Sequence, residues 1–168
     1  MKKIKVVFFG RGDAGKSSLI ARIIPKALNI EYKGMTVAMD FGVIEYKGVK
    51  LHLFGTPGQD RWEKIRDIVA YGVHIGVMVL DASSDITDED KKIIDEVKKY
   101  EVPFIVFINK RDIAIDNIDD TQEISRKFLF DIKGPVIFGS AEDGRNVDKL
   151  LDKIFDLSGS IGGNDLEL

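Results

Sequence analysis

One eight-residue segment near the start constrains this chain more than any other feature. Gly10–Ser17 has the sequence Gly-Arg-Gly-Asp-Ala-Gly-Lys-Ser and matches G-x-x-x-x-G-K-[ST] at every fixed position. It follows an apolar run, Ile4–Phe9, that is typical of a buried strand, and it opens a segment with helical periodicity, Lys16–Ile24. Glycines allow the backbone to curl so that main-chain N–H groups and the positive end of a helix face one anion. The segment therefore predicts a phosphate-binding loop between a strand and a helix.

Individual residues of this loop have different expected roles. Lys16 is expected to bring a positive charge to the β- and γ-phosphates of a nucleotide, and the Ser17 hydroxyl is expected to bind Mg²⁺. The alternative is an ordinary glycine turn with an exposed lysine, but a chance match in a chain this long has a probability of roughly one in a hundred. The expected nucleotide contacts in the loop are Gly10, Gly12, Asp13, Ala14, Gly15, Lys16, Ser17 and Ser18.

Strand-like apolar runs alternate with helical patterns along the rest of the chain, which favours a three-layer α/β fold with helices on both faces of a mostly parallel sheet. Residues 26–40 are predicted to form a long loop, and Lys47-Gly48 is a plausible turn of a hairpin that supplies one antiparallel edge strand. Thr87 and Asp90 have the spacing of a helix capping box. We expect six strands and about five helices. The further strands are Phe41–Tyr46, Val49–Phe54, Ile75–Leu80, Pro103–Ile108 and Pro135–Phe138, and the further helices lie near 60–71, after Thr87, near 120–130 and over Val147–Phe155.

Length and composition limit the other possibilities. The 168 residues, of which 44% are hydrophobic, suit one domain over 1–157 with a flexible tail over 158–168. The chain has no cysteine, which excludes thiolate chemistry, and its net charge of -3 gives no general attraction to nucleic acid. No apolar stretch approaches the roughly 20 residues that span a bilayer. Because Lys2 and the lack of cysteine exclude common lipid anchors, we expect a cytoplasmic protein with no direct membrane anchor.

A second motif follows the apolar run Phe104–Ile108. Asn109-Lys110-Arg111-Asp112 resembles the N-K-x-D motif of the Ras-like small GTPases. The resemblance implies that Asp112 accepts hydrogen bonds from guanine N1 and N2, that Asn109 contacts N7, and that the Lys110 stem lies along the purine. A carboxylate suits the two donors of guanine and repels adenine, which lacks them. The alternative is a helix cap or turn made by Asn109 and Asp112.

Two further segments are similar to motifs of the same family. Gly139-Ser140-Ala141 resembles its S-A-x motif, in which Ser140 and Ala141 belong to the base site and the Ala141 N–H meets guanine O6. Small residues after a strand are also common in turns. Gly34–Gly42 is similar to the first switch of Rab- and Arf-type GTPases, where Thr36 would bind Mg²⁺ and sense the γ-phosphate.

The second switch is expected within Leu53–Trp62, where the family pattern is D-x-x-G-Q. The resemblance implies that the Gly58 N–H contacts the γ-phosphate and that Gln59 orients the attacking water, so Gln59, Lys16 and Gly58 form the expected catalytic set. The segment Phe-Gly-Thr-Pro-Gly-Gln, which begins at Phe54, is similar to the second switch of a prokaryotic branch of Rab/Arf-like small GTPases. That branch is associated with roadblock-type partners.

This sequence departs from the family pattern at one position, because Gly55 stands where the family has an aspartate. That aspartate normally lies near Mg²⁺ and usually acts through a bound water. Its loss predicts weaker metal affinity or hydrolysis unless another carboxylate replaces it. The candidates for the replacement are Asp40 and Asp60.

The resemblance covers nearly the whole chain and implies a Ras-like P-loop fold, GTP and GDP binding with Mg²⁺, slow GTP hydrolysis and a molecular switch. No arginine lies between Arg22 and Arg61, so faster hydrolysis is expected to need an activating partner in trans. Expected partners at the switches are an activator, an exchange factor and an effector. The first alternative is a GTP-binding interaction module with little hydrolysis, which Gly55 allows. The second is an ATP-using P-loop enzyme, which the Asn109–Asp112 motif disfavours.

Overall fold

The structure, a computed structural model, describes residues 1–24, 28–32, 35–56, 63–110 and 134–162. For residues 28–32 and 35–39, and for Glu63 and Ile65, the description covers the backbone only. The helix predicted near 120–130 lies outside the described residues.

The described chain forms a seven-stranded sheet with four helices. The strands are β1 (Lys2–Phe9), β2 (Leu28–Tyr32), β3 (Met35–Tyr46), β4 (Val49–Gly55), β5 (Ile75–Asp81), β6 (Phe104–Asn109) and β7 (Val136–Phe138). The helices are α1 (Lys16–Ile23), α2 (Glu63–Ala70), α3 (Asp88–Lys98) and α4 (Val147–Ser158).

The sheet order is β2-β3-β4-β1-β5-β6-β7, and only β3 runs antiparallel to its neighbours. The predicted fold class is therefore confirmed. Three details differ from the prediction. The segment 26–40, expected to be a loop, contains a seventh strand, β2, and the first part of β3, which begins at Met35 rather than at Phe41. Because β2 pairs with β3, β3 is not an edge strand. Local periodicity did not reveal β2 because a strand of this length is held mainly by pairing with its neighbour, here with two register shifts between Leu28 and Glu31.

Several local predictions are confirmed in detail. The β3–β4 hairpin turns at Lys47 and Gly48, which both have positive φ (48° and 81°), the backbone that a tight hairpin needs. The N-terminus of α3 carries the expected capping box, in which the Thr87 side chain accepts from the Asp90 N–H and the Asp90 side chain accepts from the Thr87 N–H.

Helices cover the two faces of the sheet and bury two apolar clusters. One cluster joins α1 and α4 to the sheet, and its helix residues include Leu19, Ile20, Leu150 and Ile154. The other joins α2 and α3 to the opposite face, with Val69, Ile93, Ile94 and Val97. Full burial of a leucine or isoleucine contributes about 1.5–3 kcal/mol, so these clusters supply the main driving force for folding.

Parallel pairing brings the carboxyl ends of β1, β5 and β6 to one edge of the sheet. The segments that follow these strands carry most of the polar residues singled out above, and ligands of such sheets bind at this edge. None of the helices in the described part of the chain combines the length and the apolarity that crossing a bilayer requires.

Candidate nucleotide-binding site

The phosphate-loop motif forms the predicted turn between β1 and α1. Gly10 and Gly15 have φ of 152° and 95°, a region that favours glycine. Side chains would also find no room there, because a Cβ at Gly10 would lie 2.6 Å from the Val79 carbonyl oxygen and one at Gly15 would lie 2.2 Å from Asn109 Nδ2. The two glycines thus hold a close-packed curve that no other residue type fits.

Lys16 is buried beneath this loop, with only 5% of its surface exposed. Its ammonium donates to the carbonyl oxygens of Gly10 and Arg11, the latter at 2.7 Å. Burial lowers the pKa of Lys16 to about 8. These contacts hold the positive charge against the main chain of the loop, where a phosphate group would contact it.

The other loop residues divide into buried and accessible groups. Ala14 is fully buried, and its N–H donates to the Arg11 carbonyl oxygen at 3.1 Å. A Cβ at Gly12 would meet nothing within 4 Å, and Asp13 has 78% of its side chain exposed. Ser17 and Ser18 are also exposed, in the first turn of α1.

Asn109 joins the phosphate loop to the segment expected to contact the base. It is buried, its Nδ2 donates to the Ala14 carbonyl oxygen at 2.9 Å, and its Oδ1 accepts from the Ala141 N–H at 2.9 Å. Lys110 donates to the Asp13 carbonyl oxygen at 2.6 Å. Buried Ser140 accepts from the N–H groups of Glu142 and Asp143. The structure thus brings three predicted regions together, while Asp112 lies outside the described residues.

A buried charge network around Arg11 escaped the sequence analysis. The Arg11 guanidinium lies 2.9 Å from Asp13 Oδ1, 3.2 Å from Asp81 Oδ2 and 3.6 Å from Asp90 Oδ2. Asp81 Oδ2 also accepts from Lys110 at 2.9 Å. The sequence does show an arginine inside the loop and an aspartate at the end of a buried strand. Because the two residues are far apart in the chain, the sequence around each of them does not reveal that they pair.

Asp81 is held as a carboxylate in this network. Burial alone would raise its pKa, but hydrogen bonds from Ser83 and Lys110, together with the Lys110 charge, lower the pKa overall. The charged Asp81 connects the phosphate loop, through Arg11, to the residue that follows Asn109.

Less of the two predicted switches is described. Thr36 lies in β3, paired with Glu31 of β2, and its side chain is outside the described part. Gly55 ends β4 directly opposite Asp40, whereas Gly58, Gln59 and Asp60 lie outside the described residues. Asp40, one of the two proposed replacement carboxylates, accepts a hydrogen bond from the Ser17 hydroxyl at 2.7 Å.

The residues present fit a Mg²⁺–phosphate group. Hydroxyl and carboxylate oxygens, here Ser17 and Asp40, are the ligand chemistry that Mg²⁺ prefers, and Mg²⁺ in such sites takes few protein ligands together with phosphate oxygens and waters. The described ranges contain no group of three or more His, Asp or Glu side chains that could hold a metal ion.

A glycine loop with a buried lysine, at the carboxyl edge of a parallel sheet, defines a P-loop nucleotide-binding protein. The family model of the elongation factor Tu GTP binding domain matches residues 29–159, and the chain belongs to this family. It is a GTP-binding P-loop GTPase domain, which confirms the superfamily inferred from the motifs.

The chain is similar to one uncharacterized relative, to a GTPase and to a solved G domain. The chain is 40% identical over 157 residues to "Uncharacterized protein MJ1339" of Methanocaldococcus jannaschii, covering 92% of this chain and 97% of that protein. It is 30% identical over 168 residues to GTPase Der of Kosmotoga olearia, covering 90% of this chain but only 38% of that protein. The solved G domain of the T. maritima FeoB iron transporter superposes with a TM-score of 0.74 at 25% identity, covering 93% of this chain and 99% of that domain.

Proposed function

We propose that this chain is a guanine-nucleotide switch that binds GTP and GDP with Mg²⁺ and slowly hydrolyses GTP. The single observation that carries the proposal is the Asn109 side chain, which ties the phosphate loop at Ala14 to the Ser140-Ala141 segment. One side chain thereby holds the phosphate-binding and base-binding segments in a fixed arrangement. Such preorganisation supports tight binding of a ligand that carries both a base and phosphates.

The proposed roles follow this arrangement. Lys16 and the loop N–H groups hold the β- and γ-phosphates, and Ser17 with Thr36 binds Mg²⁺. Asp112 reads the donor edge of guanine, and Lys110 lies along the base. The Ala141 N–H, which donates to Asn109 Oδ1 at 2.9 Å in the structure, exchanges that partner for guanine O6 when the base binds. Mg²⁺ would supply neutralisation of the phosphate charge. Gly58 and Thr36 contact the γ-phosphate, so its loss releases both switches, and Gln59 orients the attacking water.

Slow hydrolysis is expected because the arginine of the phosphate loop is held by carboxylates and the sequence has no arginine between Arg22 and Arg61. The Arg11 guanidinium is paired with the carboxylates of Asp13 and Asp81 and lies near Asp90. An arginine supplied by a partner accelerates related reactions by about 10³–10⁵-fold. We therefore propose that an activator acts in trans and that an exchange factor and an effector also bind the switch regions, with roadblock-type proteins among these partners. Each partner binds in one nucleotide state only.

Base recognition is tested with the purified full chain. We expect GDP or GTP as the copurifying nucleotide and GDP binding far tighter than ADP binding. Asp112→Asn should lose guanine nucleotides and gain xanthosine nucleotides, because the new amide donates where the carboxylate accepted. The exposed Asp88→Asn on α3 serves as the matched control. An unchanged preference in Asp112→Asn would remove Asp112 from the base site.

Hydrolysis is tested by single-turnover decay of GTP. We expect a rate on the order of 10⁻⁴–10⁻² s⁻¹ for the unassisted protein, lower still in Gln59→Leu and unchanged in Lys64→Leu, which alters an exposed α2 residue. A rate near that of an activated GTPase, about 1 s⁻¹ or more, contradicts the need for an activator. Equal decay in wild type and Gln59→Leu would favour the second candidate, a GTP-binding module with little hydrolysis, which Gly55 in place of the family aspartate makes plausible.

A further inference from the structure

Asp40 and Gly55 face each other across the β3–β4 ladder at the nucleotide end of the sheet. A Cβ built on Gly55 would lie 3.3 Å from Asp40 Oδ2 and 3.6 Å from Asp40 Cβ. The Asp40 carboxylate therefore lies directly beside the position where a side chain at 55 would begin, and a side chain there would crowd it.

The same carboxylate is bonded to the predicted Mg²⁺ ligand of the phosphate loop. Ser17 Oγ donates to Asp40 Oδ2 at 2.7 Å. Because the hydroxyl hydrogen is directed at the carboxylate, the lone pairs of Ser17 Oγ are turned away from Asp40 and remain available to a cation. Hydrogen bonds of this kind fix the orientation of a metal ligand and raise its basicity.

The residue that follows β4 is bonded elsewhere. Thr56 follows Gly55 and is fully buried, and its hydroxyl donates to the Phe8 carbonyl oxygen at 2.8 Å. Its main-chain N–H donates to the same oxygen at 3.1 Å. Thr56 thus fixes the segment after β4 to the end of β1, and its hydroxyl hydrogen is directed at Phe8. Asp40 is the carboxylate that the structure shows bonded to Ser17.

We propose that Asp40 is a positioning residue that orients Ser17 for Mg²⁺ and supplies, from β3, the carboxylate that the family places at position 55. This inference rests on the proposed Mg²⁺-dependent nucleotide binding. As a consequence, the carboxylate near the metal is connected to a different switch. It belongs to β3, the strand that carries Thr36, rather than to β4, the strand that leads into the second switch.

The test measures Mg²⁺ affinity rather than hydrolysis. The rate at which fluorescently labelled GDP dissociates is followed as a function of free Mg²⁺ for the full chain. Asp40→Asn keeps the size of the side chain and removes its charge, and should raise the half-maximal Mg²⁺ concentration by about 10–100-fold, the usual effect of losing a partner of a metal ligand. Glu45→Gln, an exposed acidic residue of the same strand, is the matched control and should leave this concentration unchanged.

A second variant moves the carboxylate between strands. Asp40→Gly combined with Gly55→Asp removes the atoms that a side chain at 55 would meet on β3, so that only the flexible end of Ile20, 3.0 Å from the new Cβ, has to shift. We expect this pair to recover most of the Mg²⁺ affinity that Asp40→Gly alone loses. Recovery also shows that the single variants did not fail through misfolding.

The outcomes separate the two proposals. Asp40→Asn indistinguishable from Glu45→Gln, or no recovery in the paired variant, overturns the role of Asp40. Wild-type protein that holds GDP equally with Mg²⁺ and with a chelator overturns it as well, while nucleotide binding stands. Failure of the wild type to bind GDP under either condition refutes the proposed function itself, and the inference with it.

Discussion

Buried polar side chains are bonded very differently at the nucleotide edge of the sheet and in the half of the sheet away from that edge, which we call the amino-terminal half. At the nucleotide edge, Arg11, Asp81 and Lys110 form a connected set of charges, and Asn109 satisfies two main-chain groups at once. In the amino-terminal half, His52 is buried with neither ring nitrogen hydrogen-bonded. Connected buried polar groups rigidify a structure, whereas isolated ones only cost free energy. The network at the nucleotide edge is connected but not fully satisfied, because Arg11 Nε and Asp90 Oδ1 are buried without a hydrogen bond.

The amino-terminal half also contains polar hydrogen bonds, but they do not join the network at the nucleotide edge. The Lys5 ammonium donates to the Tyr71 carbonyl oxygen at 2.7 Å, and His74 Nδ1 accepts from the Lys5 N–H at 2.9 Å. These bonds fasten the segment before β5 to β1 and connect to no ligand-binding residue. The difference indicates that the network at the nucleotide edge serves the geometry of the site, and substitutions at the two ends should therefore differ in size and kind.

The largest effect is expected at the nucleotide edge, in Asn109→Ala. This change leaves the Ala14 carbonyl and the Ala141 N–H without their partner. Each buried group left unpaired costs about 1–3 kcal/mol, so the free energy of unfolding should fall by roughly 2–6 kcal/mol, as measured by urea denaturation. The control is Arg22→Ala, which loses one exposed bond to the Glu142 carbonyl oxygen and should cost less than about 1 kcal/mol. Equal losses in the two variants would contradict the proposed connection.

A smaller effect is expected from the titration of Lys16, whose pKa burial lowers to about 8. Phosphate prefers the charged ammonium, so GDP affinity should decrease above pH 8, by up to about tenfold per pH unit. Titration calorimetry in buffers of different ionisation enthalpy should detect proton uptake on binding. Lys16→Arg, which stays charged, should show a flat profile at lower affinity, and a wild-type profile flat to pH 9 would be inconsistent with the lowered pKa.

The same group acts on stability with the opposite sign. Between about pH 8 and its ordinary value of 10.5, Lys16 of the nucleotide-free protein binds fewer protons folded than unfolded. Its contribution to the free energy of unfolding should therefore increase with pH across this range, while nucleotide affinity decreases. Thermal denaturation of the nucleotide-free protein against pH, compared with Lys16→Arg, separates the two effects.

The smallest effect is expected at His52. Burial, together with the charges of Lys3 and Lys50, lowers its pKa. Below the ordinary pKa of histidine, near 6.5, the unfolded chain binds a proton that the folded chain resists, so stability decreases as the solution is acidified. His52→Leu should reduce this slope by at most about 1.4 kcal/mol per pH unit, without changing GDP affinity at neutral pH. An identical slope in both proteins would show that His52 is not buried in its neutral form.

Local patterns predicted the features that arise from a few neighbouring residues. The phosphate loop, the Lys47-Gly48 turn and the Thr87–Asp90 capping box each depend on backbone angles or hydrogen bonds within one short segment, and all three are confirmed. The contacts of Asp112, Gly58 and Gln59 remain predictions, because these residues lie outside the described part of the chain.

The sequence alone determined the fold class, the phosphate loop and the guanine-nucleotide assignment. Hydrophobic periodicity, glycine backbone freedom and the motifs of the resembled family are each visible in short stretches of sequence. Only the tertiary structure decided that β2 extends the sheet, that Arg11 meets Asp81, and that Asp40 lies opposite Gly55 beside Ser17. These contacts join residues far apart in the chain, and strand register together with the packing of the phosphate loop and α1 decides which of them meet. A one-residue change of register would turn the Asp40 side chain to the other face of the sheet, away from Ser17.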